Sequence, residues 1–239
     1  MNCNCCSVHS SDQICMHKVP IFSSLSPEEM SHISSIIKHK NYQKGELLFS
    51  EGDSPRSLII INEGSVKAFK VTPEGREQIL HIFSEGDFFG EQNLFGSQKS
   101  PYTAEALAPT GICSFAKEDF YQILHAHPGI AIKIIETLGE RIARMEDTMQ
   151  SIGVRNLDSR ISGLLLDFAD KYGKVVPEGI LIQLPVSREG MANYLGIARE
   201  TISRKLGQLE AEGLIHSVNN KNILLKNREA MNTLAGKDC

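Results

Sequence analysis

The segment that most constrains this chain is SREGMANYLGIARETISRKL, residues Ser187 to Leu206. Ala192 is followed four residues later by Gly196, and Met191, Leu195, Ile197 and Ile202 fall where two short helices would bury their inner faces. A small residue where helices touch, a glycine in the tight turn and a second helix free to enter a groove make a helix-turn-helix. That second helix carries Arg199, Glu200, Ser203 and Arg204 along one side. Arginine forks onto guanine, glutamate accepts from cytosine, and serine serves either role at a base edge. Arg and Glu on a helix often mark only a solvated face. Here turn, apolar spacing and polar quartet coincide, and the segment reads as a DNA reader.

With 239 residues the chain can form one large domain or two ordinary ones. A hydrophobic fraction of 41% and a charged fraction of 23% are those of a soluble globular protein. The longest aliphatic run, Leu58 to Ile61, is too short to span a bilayer, and no basic patch followed by an apolar core marks a secretory signal. A cytoplasmic protein without membrane partners is expected, in which clustered cysteines serve a metal or redox site rather than a disulfide framework. The net charge of −4 divides unevenly, with +1 from Asn156 onward and −5 before it. That balance allows phosphate contacts from one basic face but argues against indiscriminate affinity for nucleic acid.

Three segments follow from the patterning. From about Lys40 to Phe120, short β-rich runs are cut by Gly45, Gly52, Gly64, Gly75, Gly86 and Gly90, as in a small antiparallel barrel or jelly roll. After His127-Pro128 the pattern becomes a long helix. Ala131, Ile135, Leu138, Ile142, Met145, Met149 and Ile152 repeat at alternating steps of four and three, the seam of a coiled coil. Ile130, Ile132 and Ile134 widen the stripe at its start, so that part is expected to pack on the barrel as well. Beyond Gly139 the seam narrows between Arg141, Arg144, Glu146 and Asp147, which points to a homodimer through Leu138, Ile142, Met145, Met149 and Ile152. From Asn156 a helical run leads through Val175–Leu184 to the helix-turn-helix. EGLIHSVNNKNILLKN then reads as two strands around Asn219-Asn220, a wing. The expected fold is α+β: a cysteine-rich segment (1–18), a β-barrel sensor domain (19–127), a dimerisation helix (128–155) and a winged helix-turn-helix (156–239).

Barrel, helix and winged helix-turn-helix in this order resemble the cyclic-AMP receptor/FNR family of bacterial transcription regulators, whose barrel is of the cyclic-nucleotide-binding type. The resemblance runs from VPIF at Val19 to the wing, and its most specific pieces are GDFFGE (Gly86–Glu91) and RETISR (Arg199–Arg204). It implies binding to palindromic double-stranded DNA and contact with RNA polymerase. Glu200, Ser203 and Arg204 resemble the FNR type of reader, whose half-site begins TTGA, while Arg199 resembles the cyclic-AMP receptor branch. Lys205 stands where relatives usually have an aliphatic residue, which suggests a phosphate contact.

The resemblance also bears on the ligand. Gly90 and Glu91 match the first part of the cyclic-nucleotide motif, but its phosphate-binding arginine is replaced by Tyr102 or Thr103. A buried phosphate without a fixed cation costs several kcal/mol, which argues against a cyclic nucleotide. The first fifteen residues hold Cys3, Cys5, Cys6 and Cys15, and Cys113 lies in TGICSF. In the FNR branch three N-terminal cysteines and one barrel cysteine hold a 4Fe–4S cluster, which the resemblance assigns to Cys3, Cys6, Cys15 and Cys113, with Cys5 surplus. The gap from Cys6 to Cys15 is longer than in the best-known FNR pattern. Two other readings stay open: a Cys3–Cys6–His9–Cys15 zinc site, and a metal-free thiol/disulfide switch. Cys113 alone would be read as a small buried core residue, and Cys239 as a free thiol. No catalytic Ser/His/Asp set, phosphate loop, or kinase or channel segment accompanies these features, so no enzyme activity is expected.

Overall fold

The computed structural model describes residues 19–22, 25–34, 36–96, 99–154 and 156–236, so Cys3, Cys5, Cys6, His9, Cys15 and Cys239 lie outside the described residues. The described residues open with a 3-10 turn, Pro20–Phe22, and helix α1 (Pro27–Ser34). Strands β1 (Lys38–Tyr42), β2 (Leu47–Phe49), β3 (Ser57–Glu63), β4 (Ser65–Val71), β5 (Glu77–Ser84) and β6 (Phe88–Phe89) precede the short helix α2 (Glu91–Phe95). Strands β7 (Thr103–Ala106) and β8 (Thr110–Ala116) lead into α3 (Lys117–Ala126) and the long α4 (Pro128–Val154). There follow α5 (Leu157–Tyr172), β9 (Gly173–Val176), β10 (Gly179–Gln183), α6 (Arg188–Leu195), α7 (Arg199–Ala211), β11 (Ile215–Ser217), β12 (Asn222–Leu225) and α8 (Arg228–Ala235). The chain divides into two compact units: the described residues through Val66 with Phe83–Leu138, and Lys67–Ile82 with the residues from Gly139 onward.

The jelly roll expected from the sequence is present as two four-stranded sheets, β1-β8-β3-β6 and β2-β7-β4-β5. Alternation along β3 and β8 sends side chains to opposite faces. Leu58, Ile60, Cys113 and Phe115 enter one apolar cluster with Val19, Ile21, Phe22, Phe120, Ile130 and Ile134. On the other face, Phe89 stacks on Phe83 with ring centroids 4.7 Å apart and lies 6.1 Å from Phe49 of the second sheet. The glycines that punctuate the barrel sequence all turn at positive φ. Gly90 shows the constraint most sharply: its φ is 91°, and a Cβ there would lie 2.6 Å from the Ser57 carbonyl oxygen.

Helix α1 begins with a capping box, in which the Glu29 carboxylate accepts from Ser26 N–H at 2.7 Å and Glu29 N–H donates back to Ser26 Oγ at 3.3 Å. The Ser26 backbone N–H first, and then the Ser26 hydroxyl, hold the Glu29 carboxyl below its usual range. Its other oxygen lies 3.1 Å from His127 Nδ1, tying α1 to the corner between α3 and α4. Along α4, Ile130 and Ile134 are buried and Leu138 packs partly against the same cluster. Ile132 differs from expectation: it is 57% exposed, because a step of two residues turns the helix by about 200° and carries it off the barrel-facing stripe.

The second unit holds a feature that periodicity did not reveal. Residues 173–183 form a hairpin, and its strands extend the wing into one sheet, β11-β12-β10-β9. Helix α8 was also unforeseen; Asn227 caps it, and Arg228 reaches Asp170 of α5 at 2.6 Å.

Two glycine replacements should move stability in opposite directions. Gly90→Ala should lower it by about 1–3 kcal/mol, since strain and a backbone clash coincide. Gly207→Ala, in the exposed interior of α7 with open space around the new methyl, should raise it by about 0.5–1 kcal/mol. Denaturant midpoints of the two variants check both signs.

Candidate nucleic-acid interface and thiol site

The helix-turn-helix is built as its sequence requires. Ser187 caps α6, its hydroxyl accepting from Gly190 N–H at 3.2 Å. Gly196 ends that helix in the left-handed conformation, φ 67° and ψ 38°, and Ile197 N–H returns to the Ala192 carbonyl at 3.0 Å. Met191, Ala192 and Leu195 of α6 are buried, as are Ile202, Leu206 and Leu209 of α7. The opposite side of α7 leaves Arg199, Glu200 and Arg204 exposed and Ser203 half-buried, on one continuous face. Lys205 lies elsewhere. Its ammonium sits 2.6 Å from the Asp158 carboxylate at the start of α5, and its side chain is only 20% exposed.

Strands β11 and β12 place the wing beside this helix. Glu210, near the end of α7, accepts from Ser217 N–H at 3.1 Å and pairs with His216 Nδ1 at 2.7 Å. The Ser217 amide is the main reason its carboxyl is held below the ordinary range. Asn219 Oδ1 closes the turn by accepting from Lys221 and Asn222 N–H at 2.8 and 2.9 Å.

The thiol site centres on Cys113, which is 1% exposed within the apolar cluster of the barrel. Burial pushes its thiol up to about 12. His39, directly across from it on β1, brings Nδ1 to 3.7 Å from the sulfur. Sequence spacing gave no sign of this neighbour, since the two residues are 74 positions apart and only strand pairing joins them. Val19, Ile21 and Phe22 lie in the same cluster, and the Phe22 and Phe115 rings are 5.8 Å apart. Among the described residues, no group of three or more His, Cys, Asp or Glu side chains is placed to hold a metal ion. No helix among them is long and apolar enough to cross a membrane.

Of the two residues at the place of the missing arginine, Tyr102 is 7% exposed with its ring 5.8 Å from Phe49, and Thr103 Oγ1 accepts from Glu51 N–H at 3.0 Å. The Gly86–Asp87 part of the GDFFGE motif makes a turn tied to β3. Gly86 N–H donates to the Ile61 carbonyl at 2.9 Å, Ile61 N–H to that of Asp87 at 3.0 Å, and Asp87 Oδ2 accepts from Ser84 N–H at 2.9 Å.

On α4, Ile135 is 68% exposed, Ile142 57% and Met145 48%, a line of apolar side chains facing outward. Leu138 stands at the border between this line and the barrel cluster. The side chains of Met149 and Ile152 lie outside the described residues.

Comparison with known proteins agrees with this architecture. Residues 39–127 match the cyclic nucleotide-binding domain family and residues 159–234 the Crp-like helix-turn-helix domain. The chain is 29% identical over 213 residues to the nitrogen fixation regulation protein FixK of Bradyrhizobium diazoefficiens, covering 89% of this chain and 85% of that one. It is 28% identical over 236 residues to the fumarate and nitrate reduction regulatory protein of Escherichia coli, covering 97% and 92%. The solved structure of FixK2 from Bradyrhizobium japonicum superposes with a TM-score of 0.73 at 26% identity, covering 83% of this chain and 97% of that one. A CooA mutant from Carboxydothermus hydrogenoformans shares the fold at a TM-score of 0.75 and 21% identity, over 95% and 97%. A jelly-roll domain followed by a winged helix-turn-helix defines a class of DNA-binding proteins. Within it, this chain belongs to the Crp/Fnr family of DNA-binding transcription regulators.

The burial of Cys113 has a measurable sign. Its raised pKa keeps the native, metal-free thiol protonated through pH 10, whereas the unfolded thiol ionises near 9, so this group's contribution to stability falls as pH rises from about 9 toward 12. Iodoacetamide at pH 8 should alkylate Cys113 in the folded, metal-free protein at least tenfold more slowly than free cysteine, with the rates converging in denaturant. Peptide mass spectrometry reads this directly, and comparable folded-state rates would show the thiol to be accessible.

Proposed function

We propose that this regulator is redox-responsive, binds palindromic DNA as a homodimer, and senses through an iron–sulfur cluster held by Cys113 and N-terminal cysteines. The observation that supports this reading is the shared apolar cluster. Val19, only four residues after Cys15, is buried with Cys113, and so are Ile130 and Ile134 at the start of α4. Four residues span at most about 14 Å, so chain length puts Cys15 within reach of the cluster that holds Cys113.

The donor chemistry fits. Four thiolates are what a 4Fe–4S cluster needs, and Cys3, Cys6 and Cys15 with Cys113 would supply them, Cys5 being able to replace a neighbour. A thiol as strongly protonated as Cys113 is a poor nucleophile for disulfide exchange, whereas ligation to iron removes its proton. When bound, the cluster supplies an oxidant-sensitive thiolate ligation linking the N-terminal segment to β8. Cys113 would anchor one end of that tie, in a cluster that Phe22, Phe115 and Phe120 share with the start of α4. A zinc site of Cys3, Cys6, His9 and Cys15 would leave Cys113 unused, and Cys113→Ser separates the two readings. The aromatic cluster of Phe49, Phe83, Phe89 and Tyr102, where a cyclic nucleotide would need an arginine, supports a barrel that does not read one.

The exposed seam of Ile135, Ile142 and Met145 supports self-association, since apolar side chains aligned along one helix gain by pairing with a second copy. The paired recognition helices would then meet successive major grooves, presenting Arg199, Glu200, Ser203 and Arg204 to base edges. RNA polymerase is the further partner expected of such a regulator.

Two substitutions test this reading. Arg204→Ala should lose about 1–3 kcal/mol at a guanine of the half-site and relax selectivity at that base alone, as a mutated-operator titration would show. An equal loss on every sequence would mean that Arg204 touches only phosphate. Ile142→Asp, at an exposed position, should leave the monomer folded while weakening dimerisation and DNA binding together. Sedimentation showing an unchanged dimer would remove α4 from the interface.

A further inference from the structure

The first turn of α5 grips both helices of the DNA-binding motif. Asn156 caps α5 by accepting from Ser159 N–H at 2.9 Å. Two residues into the helix, Asp158 takes the Lys205 ammonium of α7 at 2.6 Å. Four residues past the cap, Arg160 Nη2 donates to the Leu195 carbonyl at 2.5 Å, at the C-terminal end of α6 and immediately before Gly196. That bond satisfies a carbonyl that the helix end leaves open, and it fixes the turn. Lys205 also reaches Gln208 Oε1 at 3.3 Å, so its head group is held from two sides.

Helical phase separates Lys205 from the reading side chains. At about 100° per residue, Arg199, Ser203, Glu200 and Arg204 span an arc of roughly 140°, and Lys205 lies about 170° from its centre. It shares its side of α7 with the buried Ile202 and Leu209. Its four-carbon stem lies along that apolar side while the ammonium emerges at Asp158.

We propose that Lys205 is a positioning residue: with Asp158, and beside the Arg160 bond to Leu195, it locks the recognition helix onto α5 and so sets which bases Arg199–Arg204 reach. Lys205 on this account touches no phosphate. A chain with an aliphatic residue here would seat α7 by packing alone; this one adds a charge-paired stop against sliding or rotation. The inference rests on the reading of α7 as the DNA-contacting helix, and it assigns the first turn of α5 a part in selectivity.

The test is a double-mutant cycle with Lys205→Met, which keeps the apolar stem, and Asp158→Asn, each measured on a duplex carrying inverted TTGA half-sites about one helical turn apart. Each single variant should weaken binding by about two- to fivefold and narrow the discrimination against a substituted half-site base. The double variant should be no worse than either single, and the exchanged pair Asp158→Lys with Lys205→Asp should recover part of the loss. The slope of log affinity against log salt should not change. A phosphate contact would show the opposite: Lys205→Met would reduce the slope by about 0.9, and Asp158→Asn would leave binding intact or tighten it. Amide hydrogen exchange of the free protein is the second readout, and both single variants should speed exchange in α7. Unchanged exchange would overturn the lock even where DNA binding fell. Failure of the unmutated protein to bind the duplex, with α7 exchange responding as expected, would instead count against the DNA reading and leave the lock standing.

Discussion

Burial of one apolar cluster on the outer face of the barrel is the interaction on which the rest of this structure depends. Cys113 and Phe115 of β8, Leu58 and Ile60 of β3, Phe22 of the entering chain, Phe120 of α3 and Ile130 and Ile134 of α4 share it. Tertiary packing, more than intrinsic propensity, stabilises helices of this kind, so the start of α4 takes its position from the cluster. Close-packed interiors transmit a displaced side chain instead of absorbing it, and large-to-small changes such as Phe120→Ala cost about 3–5 kcal/mol. A chemical event at Cys113 would therefore act on the same cluster that seats the start of α4.

The DNA-binding unit is organised around a different constraint. Two short helices with a glycine turn bury few residues between themselves, and α5 supplies the missing support. Ile161, Leu164, Leu165 and Phe168 give it a buried face, while Asp158 and Arg160 add polar fixation at its first turn. The wing sheet and α8 complete the enclosure, with Glu210 joining the end of the recognition helix to β11. Arg199, Glu200, Ser203 and Arg204 thus stand on a helix whose own position is fixed by its neighbours.

Much of this was legible before the fold was seen, for identifiable reasons. Gly86, Gly90 and Gly196 announce turns because positive φ leaves little choice of residue, and the seam on α4 announces itself through its alternating steps. Local patterns stop where contacts become nonlocal. His39 meets Cys113 only because β1 pairs with β8, and Lys205 meets Asp158 across 47 residues that bring α5 and α7 together. A basic residue directly after RETISR suggests phosphate; helical phase and an acidic partner set its ammonium against Asp158 of α5. Ile132 shows the same limit on a smaller scale, since neighbouring isoleucines on α4 divide between barrel and solvent by phase alone. The 173–183 hairpin and α8 were not legible because each is too short for periodicity to stand out.

The central claim is that Cys113 and the N-terminal cysteines form one oxidant-sensitive site coupled to α4. Anaerobic purification of the protein and of Cys113→Ser, followed by visible absorption with iron, sulfide and zinc determination, tests it most directly. The account predicts a brown protein with about four iron and four acid-labile sulfide per chain, both lost in Cys113→Ser. A colourless protein with about one zinc per chain and no sulfide, unchanged by Cys113→Ser, would contradict it.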